Sequence, residues 1–178
     1  MTEIEHASEE LLRIHFVIRP GTAEDIGAMA LVLERANAER DGLLPPLEVT
    51  DLERASEVKE RAAKPSAWIY VADGPDGVAA FVLGHASSEE ETLVSDDNVE
   101  YLSLLMTDPT HWGRGLGRSL LFEAEANIRA AGKKQVVLWT QLGNGRARRL
   151  YERSGYRLTD QTRVSVHQGQ LVQYQLDL

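Results

Sequence analysis

Apolar and polar positions along this chain alternate with two different periods, and the switches between them divide it into elements. The stretch FVIRP, from Phe16, reads as a short strand. Ile26, Met29, Ala30, Leu33 and Ala36 then recur at helical spacing, which predicts a helix from Thr22 to about Asp41-Gly42. Thr22 suits the N-cap, and Glu24 and Asp25 put carboxylates at the positive end of the helix dipole. After the loop LLPPLEV, a second helix is expected from Thr50 or Asp51 to about Ala63, with Pro65 marking its exit. Trp68–Ala72 and Val78–Ala86 are strand-like, and Asp73-Gly74-Pro75-Asp76-Gly77 between them carries turn chemistry, so they form a hairpin. SSEEETLVSDDN has no period and reads as a polar, acidic loop.

The apolar run VEYLSLLMTDP is a strand that ends at Pro109. A helix runs from the glycines that follow to about Ala131, where Gly132 stops it. QVVLWTQ is a buried strand, and NGRARRLYERSGY a short helix closed by Gly155. RLTDQTRVSVHQGQLVQYQLDL gives two strands joined around Gln168-Gly169. The order is β-α-α-β-β-β-α-β-α-β-β, with no repeat, linker or second domain. Residues 1–15 form an extension, and 16–178 a single domain.

Composition narrows the classes. There is no cysteine, which removes disulfides, a cysteine nucleophile and thiolate metal sites together. The five histidines show no metal spacing, so no metal is expected. No apolar run is long enough for a membrane span, and the acidic N-terminus does not resemble a signal peptide, which points to a cytoplasmic protein without a membrane partner. The formal net charge of −9 is unevenly spread: residues 109–178 carry 11 Lys/Arg against 5 Asp/Glu, and residues 1–108 carry 8 against 23. Such a balance disfavours nucleic acid. It suits an anionic ligand on the C-terminal part and a cation facing the acidic part, unless it is only a chance distribution of surface charge.

The glycines at 113, 115 and 117 stand where a helix must begin. Glycine costs backbone entropy on folding, so three need a reason. A strand, a glycine-rich turn and a helix together offer free N–H groups and a dipole to an anion. The G-x-G-x-G spacing misplaces the third glycine of a dinucleotide fingerprint, and Arg118-Ser119 is not the Lys-Ser/Thr of a nucleotide P-loop. A coenzyme A pyrophosphate remains, beside the plain alternative of an unliganded turn.

LLMTDPTHWGRGLGRSLL resembles the acetyl-CoA-binding motif of the GNAT superfamily of acyl-CoA-dependent N-acyltransferases, Q/R-x-x-G-x-G/A after a strand and a proline. Trp112 stands at the motif's first position, where the family commonly has Gln or Arg; Gly115 and Gly117 match. NGRARRLYERSGYR is similar to the family's downstream element, with Asn144, Ala147, Tyr151, Gly155 and Tyr156 at its positions. The resemblance implies an α/β fold of the α+β kind. Its central sheet would be mixed but mostly antiparallel, flanked by helices, with a cleft for acetyl-CoA where two strands splay apart.

It also implies roles. Backbone N–H groups over Trp112, Gly113, Arg114, Gly115, Leu116, Gly117 and Arg118 would hold the pyrophosphate, aided by the Arg114 and Arg118 guanidinium groups or leaving these as solvated surface. Leu105, Met106 and Thr107 would run beside the pantetheine arm, with an N–H near Met106 or Thr107 facing the thioester carbonyl. Asn144 would contact the arm or cap its helix. Tyr151 would protonate the leaving thiolate, or else pack as a helix tyrosine. Glu100 is the candidate general base and equally a strand-end glutamate; strand alternation leaves its facing open by one residue. Asp108 is turn chemistry before Pro109, and His111 a surface residue of the helix entry or, as the alternative, a base.

The expected activity is acetyl transfer from acetyl-CoA to a primary amine by direct attack. The acceptor is a small molecule or a peptide, and homodimerisation is open. A cationic acceptor is favoured if the acidic loop Glu89–Asp97 lines the entrance. The alternative is a CoA-binding regulatory or interaction module without turnover.

Overall fold

The computed structural model describes residues 15–41, 51–93, 96–165 and 168–178. The proposed N-terminal extension up to residue 14, the LLPPLEV loop, His6 and His167 lie outside them. Strand β1 (Val17–Pro20) leads through a 3₁₀ turn (Ala23–Asp25) into helix α1 (Ile26–Asp41), and α2 (Asp51–Ala62) follows. The hairpin β2 (Trp68–Gly74) and β3 (Gly77–Ala86) comes next, then a single helical turn α3 (Glu89–Thr92), and then β4 (Val99–Thr107). A second 3₁₀ turn (Pro109–His111) precedes α4 (Leu116–Ala130), and β5 (Gln135–Gln141), α5 (Gly145–Arg153), β6 (Arg157–Ser165) and β7 (Gly169–Asp177) complete the order. The seven strands make one sheet in the order β1-β2-β3-β4-β5-β7-β6. Only the β4–β5 pair is parallel.

Period-2 alternation divides the core between the two faces of the sheet. Ala72, Ala80, Val82, Leu138 and Val172 point to α4, which packs Leu116, Leu120, Leu121, Ala124 and Ile128 on them. Val71, Phe81 and Leu83 point the other way, under Met29, Val32 and Leu33 of α1 and Val58 of α2. The predicted elements appear with one difference: the acidic stretch after β3 contains the turn α3. Ser88 O accepts from the N–H groups of Glu91 and Thr92, and the Ser88 hydroxyl donates to Glu91 Oε2 at 2.9 Å, so the serine closes the turn on both sides. Thr92 is thereby fully buried rather than solvated.

A bulge in β4 decides which side chains reach which face. Leu83 pairs with Leu104 but Gly84 with Leu102, so Ser103 is the extra residue. Leu102 therefore joins the core under α4, and Leu104, two positions on, the core under α1 and α2. Glycine is required at 84, because a Cβ there would meet Trp68 Cζ2 at 2.2 Å and Tyr101 O at 2.6 Å.

Candidate active site

β4 and β5 run together only from Val99–Gln135 to Leu102–Leu138 and part beyond that point. Past the fork β4 stays paired with β3 through Thr107, and β5 with β7 through Gln141. The facing edges of the two strands from Ser103 and Trp139 onward are thus open to a ligand. The bulge and the fork coincide, since Ser103 is both the extra residue and the first beyond the last parallel pair.

The glycine turn stands at the far end of β4. Asp108, buried, caps the 3₁₀ turn: its carboxylate accepts from Thr110 N at 2.9 Å, and Arg35 of α1 binds its other oxygen at 2.9 Å. Burial works to raise the Asp108 pKa, but the Thr110 and Arg35 hydrogen bonds outweigh it and hold the group below the usual carboxylate range. The Trp112 indole donates to Thr107 O at 2.9 Å, and the Arg146 guanidinium lies 3.9 Å over its ring. Gly113 and Gly115 have φ of +81° and +82°, a conformation that disfavours side chains, and a Cβ at either would meet open space. Gly115 is the N-cap of α4, with no side-chain cap bond to the first-turn amides. Gly117 is different. A Cβ there would come within 3.1 Å of Leu150 Cδ2 and near Thr107, so this glycine serves helix packing between α4 and α5. Arg114 and Arg118 are exposed, and Leu116 is buried in the core. Leu105 packs towards α4 and Met106 towards α1, as alternation beyond the bulge requires.

α5 closes the other lip of the wedge. Asn144 caps it, its Oδ1 accepting from Ala147 N at 3.1 Å. Tyr151 is buried, its ring 5.7 Å from that of Tyr156 and 6.0 Å from that of Tyr174. Burial, reinforced by the nearby Tyr101, raises its pKa well above that of an ordinary phenol, so it stays protonated throughout the neutral range.

Glu100 lies elsewhere. The Trp68 indole donates to its Oε1 at 2.7 Å, and Lys133 Nζ is 3.5 Å from its Oε2. It lies before the bulge, shares the Trp68 side of the sheet under α4, and does not line the cleft described next. Its contacts are those of a buried, satisfied carboxylate.

On the opposite face a cleft of about 750 Å³ opens between α2, α3 and the end of β6. Glu57, Glu60 and Arg61 of α2, Lys64, Glu91 and Arg163 line it. It adjoins the fork on both sides: Arg61 donates to the Ser103 hydroxyl, and the Trp139 indole donates to Glu91 O at 2.9 Å. Arg61 also binds Glu57 at 2.8 Å, and Lys64 pairs with Glu91. Burial works to raise the Glu91 pKa, but Lys64, Ser88 and His85 together hold it below the usual range. His85 sits behind, its Nδ1 2.9 Å from Ala86 O and its Nε2 3.6 Å from Glu91, edge-on to Tyr101. The expected acidic entrance is thus balanced: three carboxylates and three cations stand in the lining. Apart from Glu91, within the flagged acidic run, nothing in the chain's periodicity marked these residues. They come from separate elements, brought together by the sheet.

The chain matches the acetyltransferase (GNAT) family over residues 33–156, most of its length, and belongs to that family. The family's fold accounts for the mixed sheet, the fork and the glycine turn. Among relatives, the chain is similar to a mycothiol acetyltransferase of Beutenbergia cavernae, 42% identical over 74 residues; the match covers 42% of this chain but only 23% of that protein. PaiA N-acetyltransferase of Thermoplasma acidophilum, solved in complex with coenzyme A, shares the fold with a TM-score of 0.72 at 15% identity, over 93% of this chain and 100% of that one. Salmonella typhimurium yncA, solved with acetyl-CoA, does so with a TM-score of 0.64 at 22% identity, over 92% and 94%.

Proposed function

We propose that the protein transfers an acetyl group from acetyl-CoA to a primary amine by direct attack, with the thioester at the fork of β4 and β5. The observation that carries this reading is the fork itself: two open strand edges run from Leu102 and Leu138 towards an uncapped helix start at Gly115. The first-turn amides of α4 suit a pyrophosphate, and the open space at Gly113 and Gly115 lets phosphate oxygens approach the backbone. The open edge of β4 suits the amides of a pantetheine arm. That two neighbours in fold were solved with CoA or acetyl-CoA supports the same ligand here.

The reaction needs little more. The neutral amine attacks the thioester carbonyl, a backbone N–H near Met106 or Thr107 stabilises the oxyanion, and the carbon–sulfur bond breaks. Tyr151, kept protonated by burial, gives its proton to the departing thiolate. The chain has no cysteine to carry an acyl-enzyme. The ammonium loses its proton to water before attack, since Glu100 is engaged under α4; the N–H proton shed as the amide forms also passes to water, and one proton returns from water to Tyr151.

Thiol release from acetyl-CoA with a mixed panel of amines tests the reading, alongside a thermal shift with CoA alone. Amine-dependent thiol release is expected. Tight CoA binding with no release by any amine would point to a binding module instead.

A further inference from the structure

Two of the three cations in the cleft are neutralised by carboxylates of the cleft itself. Arg61 binds Glu57, and Lys64 binds Glu91. Arg163 has no such partner among the described residues. One of its N–H groups donates to Glu91 O at 2.8 Å, and its guanidinium carbon lies 4.5 Å over the Trp139 ring. A guanidinium has five N–H donors, so this one keeps most of them for something else.

It is also held in place. Glu91 O accepts from both Arg163 and the Trp139 indole, so one carbonyl sets the plane on which the arginine stacks and the arginine itself. Trp139 is the first residue of β5 beyond the last parallel pair, which puts Arg163 beside the fork. A planar, pre-positioned fork of donors matches a carboxylate better than a mobile lysine would. On α2, Glu60 is the lining carboxylate without a cation among the described residues; the Ser56 hydroxyl binds it, at 2.7 Å. Among the described residues, the cleft is therefore left with one unmatched positive and one unmatched negative side chain.

Resting on the acetyl-transfer reading above, we infer that the acceptor carries a carboxylate as well as its amine, and that Arg163 binds that carboxylate: the acceptor is of the amino-acid class. Glu60 complements the ammonium on the way in, before it loses its proton for attack.

The test compares the twenty amino acids with their C-terminal amides as acceptors, by thiol release. The wild-type protein is expected to favour the best acid over its amide about 10- to 100-fold in kcat/KM, the scale of a charge-assisted pair lost from a cleft. In Arg163→Gln that ratio falls to about one, and in Arg163→Lys it falls part-way; a retained CoA thermal shift shows that each variant is folded. A wild-type ratio near one, or a preference for amides, overturns the inference. A second readout does not depend on turnover or on any variant. The Trp139 indole N–H resonance, titrated with the same acids and amides, should move with acids and not with amides. If no amine releases thiol but this resonance responds to acids, acetyl transfer falls and the carboxylate site stands. If it responds to neither, or equally to both, the carboxylate site falls.

Discussion

The glycine turn and the charged cleft flank one fork in the sheet but present opposite kinds of surface. At the turn it is backbone that is exposed: Gly113 and Gly115 are open, the first amides of α4 have no side-chain cap, and Arg114 and Arg118 are exposed to solvent. In the cleft the surface is made of side chains, most of them already matched to one another on α2 and between Lys64 and α3. A backbone site holds one chemical group common to every turnover. A side-chain site can be re-lettered position by position without disturbing the fold, which suits an acceptor that differs among relatives. Damage should therefore separate cleanly into cosubstrate defects at the turn and acceptor defects in the cleft.

Tyr151 is where that division should break most sharply if it is the proton donor of the proposed reaction. Tyr151→Phe keeps the ring contacts with Tyr156 and Tyr174. It should lower kcat by ~10²–10⁴-fold with both KM values little changed. Steady-state kinetics across pH decide it, and a wild-type rate at every pH would make Tyr151 a packing residue. Within the turn, Gly115→Asp sets a carboxylate where phosphate oxygens would come. The CoA-induced thermal shift should vanish while the acceptor-induced shift stays; an unaltered CoA shift would move the pyrophosphate elsewhere.

In the cleft the two neighbouring glutamates should behave differently. Glu91 faces Lys64 and His85, whereas Glu90 is exposed. Glu91→Gln releases Lys64 and should raise acceptor KM about fivefold, the scale of one ordinary hydrogen bond at about 1 kcal/mol, leaving acetyl-CoA KM unchanged. Glu90→Gln should do neither. Equal effects would mean that the acidic run acts through net charge alone, and added salt would then raise acceptor KM in both variants alike.

The smallest effect is expected at Asp108, which holds the turn without touching a ligand. Its pKa is lowered in the folded chain, so its stabilising contribution is complete above the ordinary aspartate value of 3.8 and fades as pH falls through the lower folded value. Arg35 is largely exposed, so solvent screens part of that contribution. Asp108→Asn should cost about 1 kcal/mol at pH 7 and flatten the fall in stability below about pH 4, as denaturant titrations at several pH values would show.

Local chemistry was readable in the chain itself. Periodicity placed the strands and longer helices within a few residues, because each is decided by which face its own side chains must bury. The glycines announced the turn, and Asn144 its helix cap, since both effects act over three or four residues. The acidic loop was misread because α3 is one turn long and has no period to detect; its reason lies in Ser88 binding Glu91. Glu100 could not be assigned a face, because one extra residue at Ser103 exchanges the faces of β4, and that residue exists only against β3. Gly117 has, besides its place in the turn, a packing reason that only Leu150, 33 positions away, supplies. The cleft depended wholly on tertiary structure. Arg61, Glu91 and Arg163 come from three elements with no common spacing, and a charge is matched or unmatched only once the sheet has set its neighbours beside it.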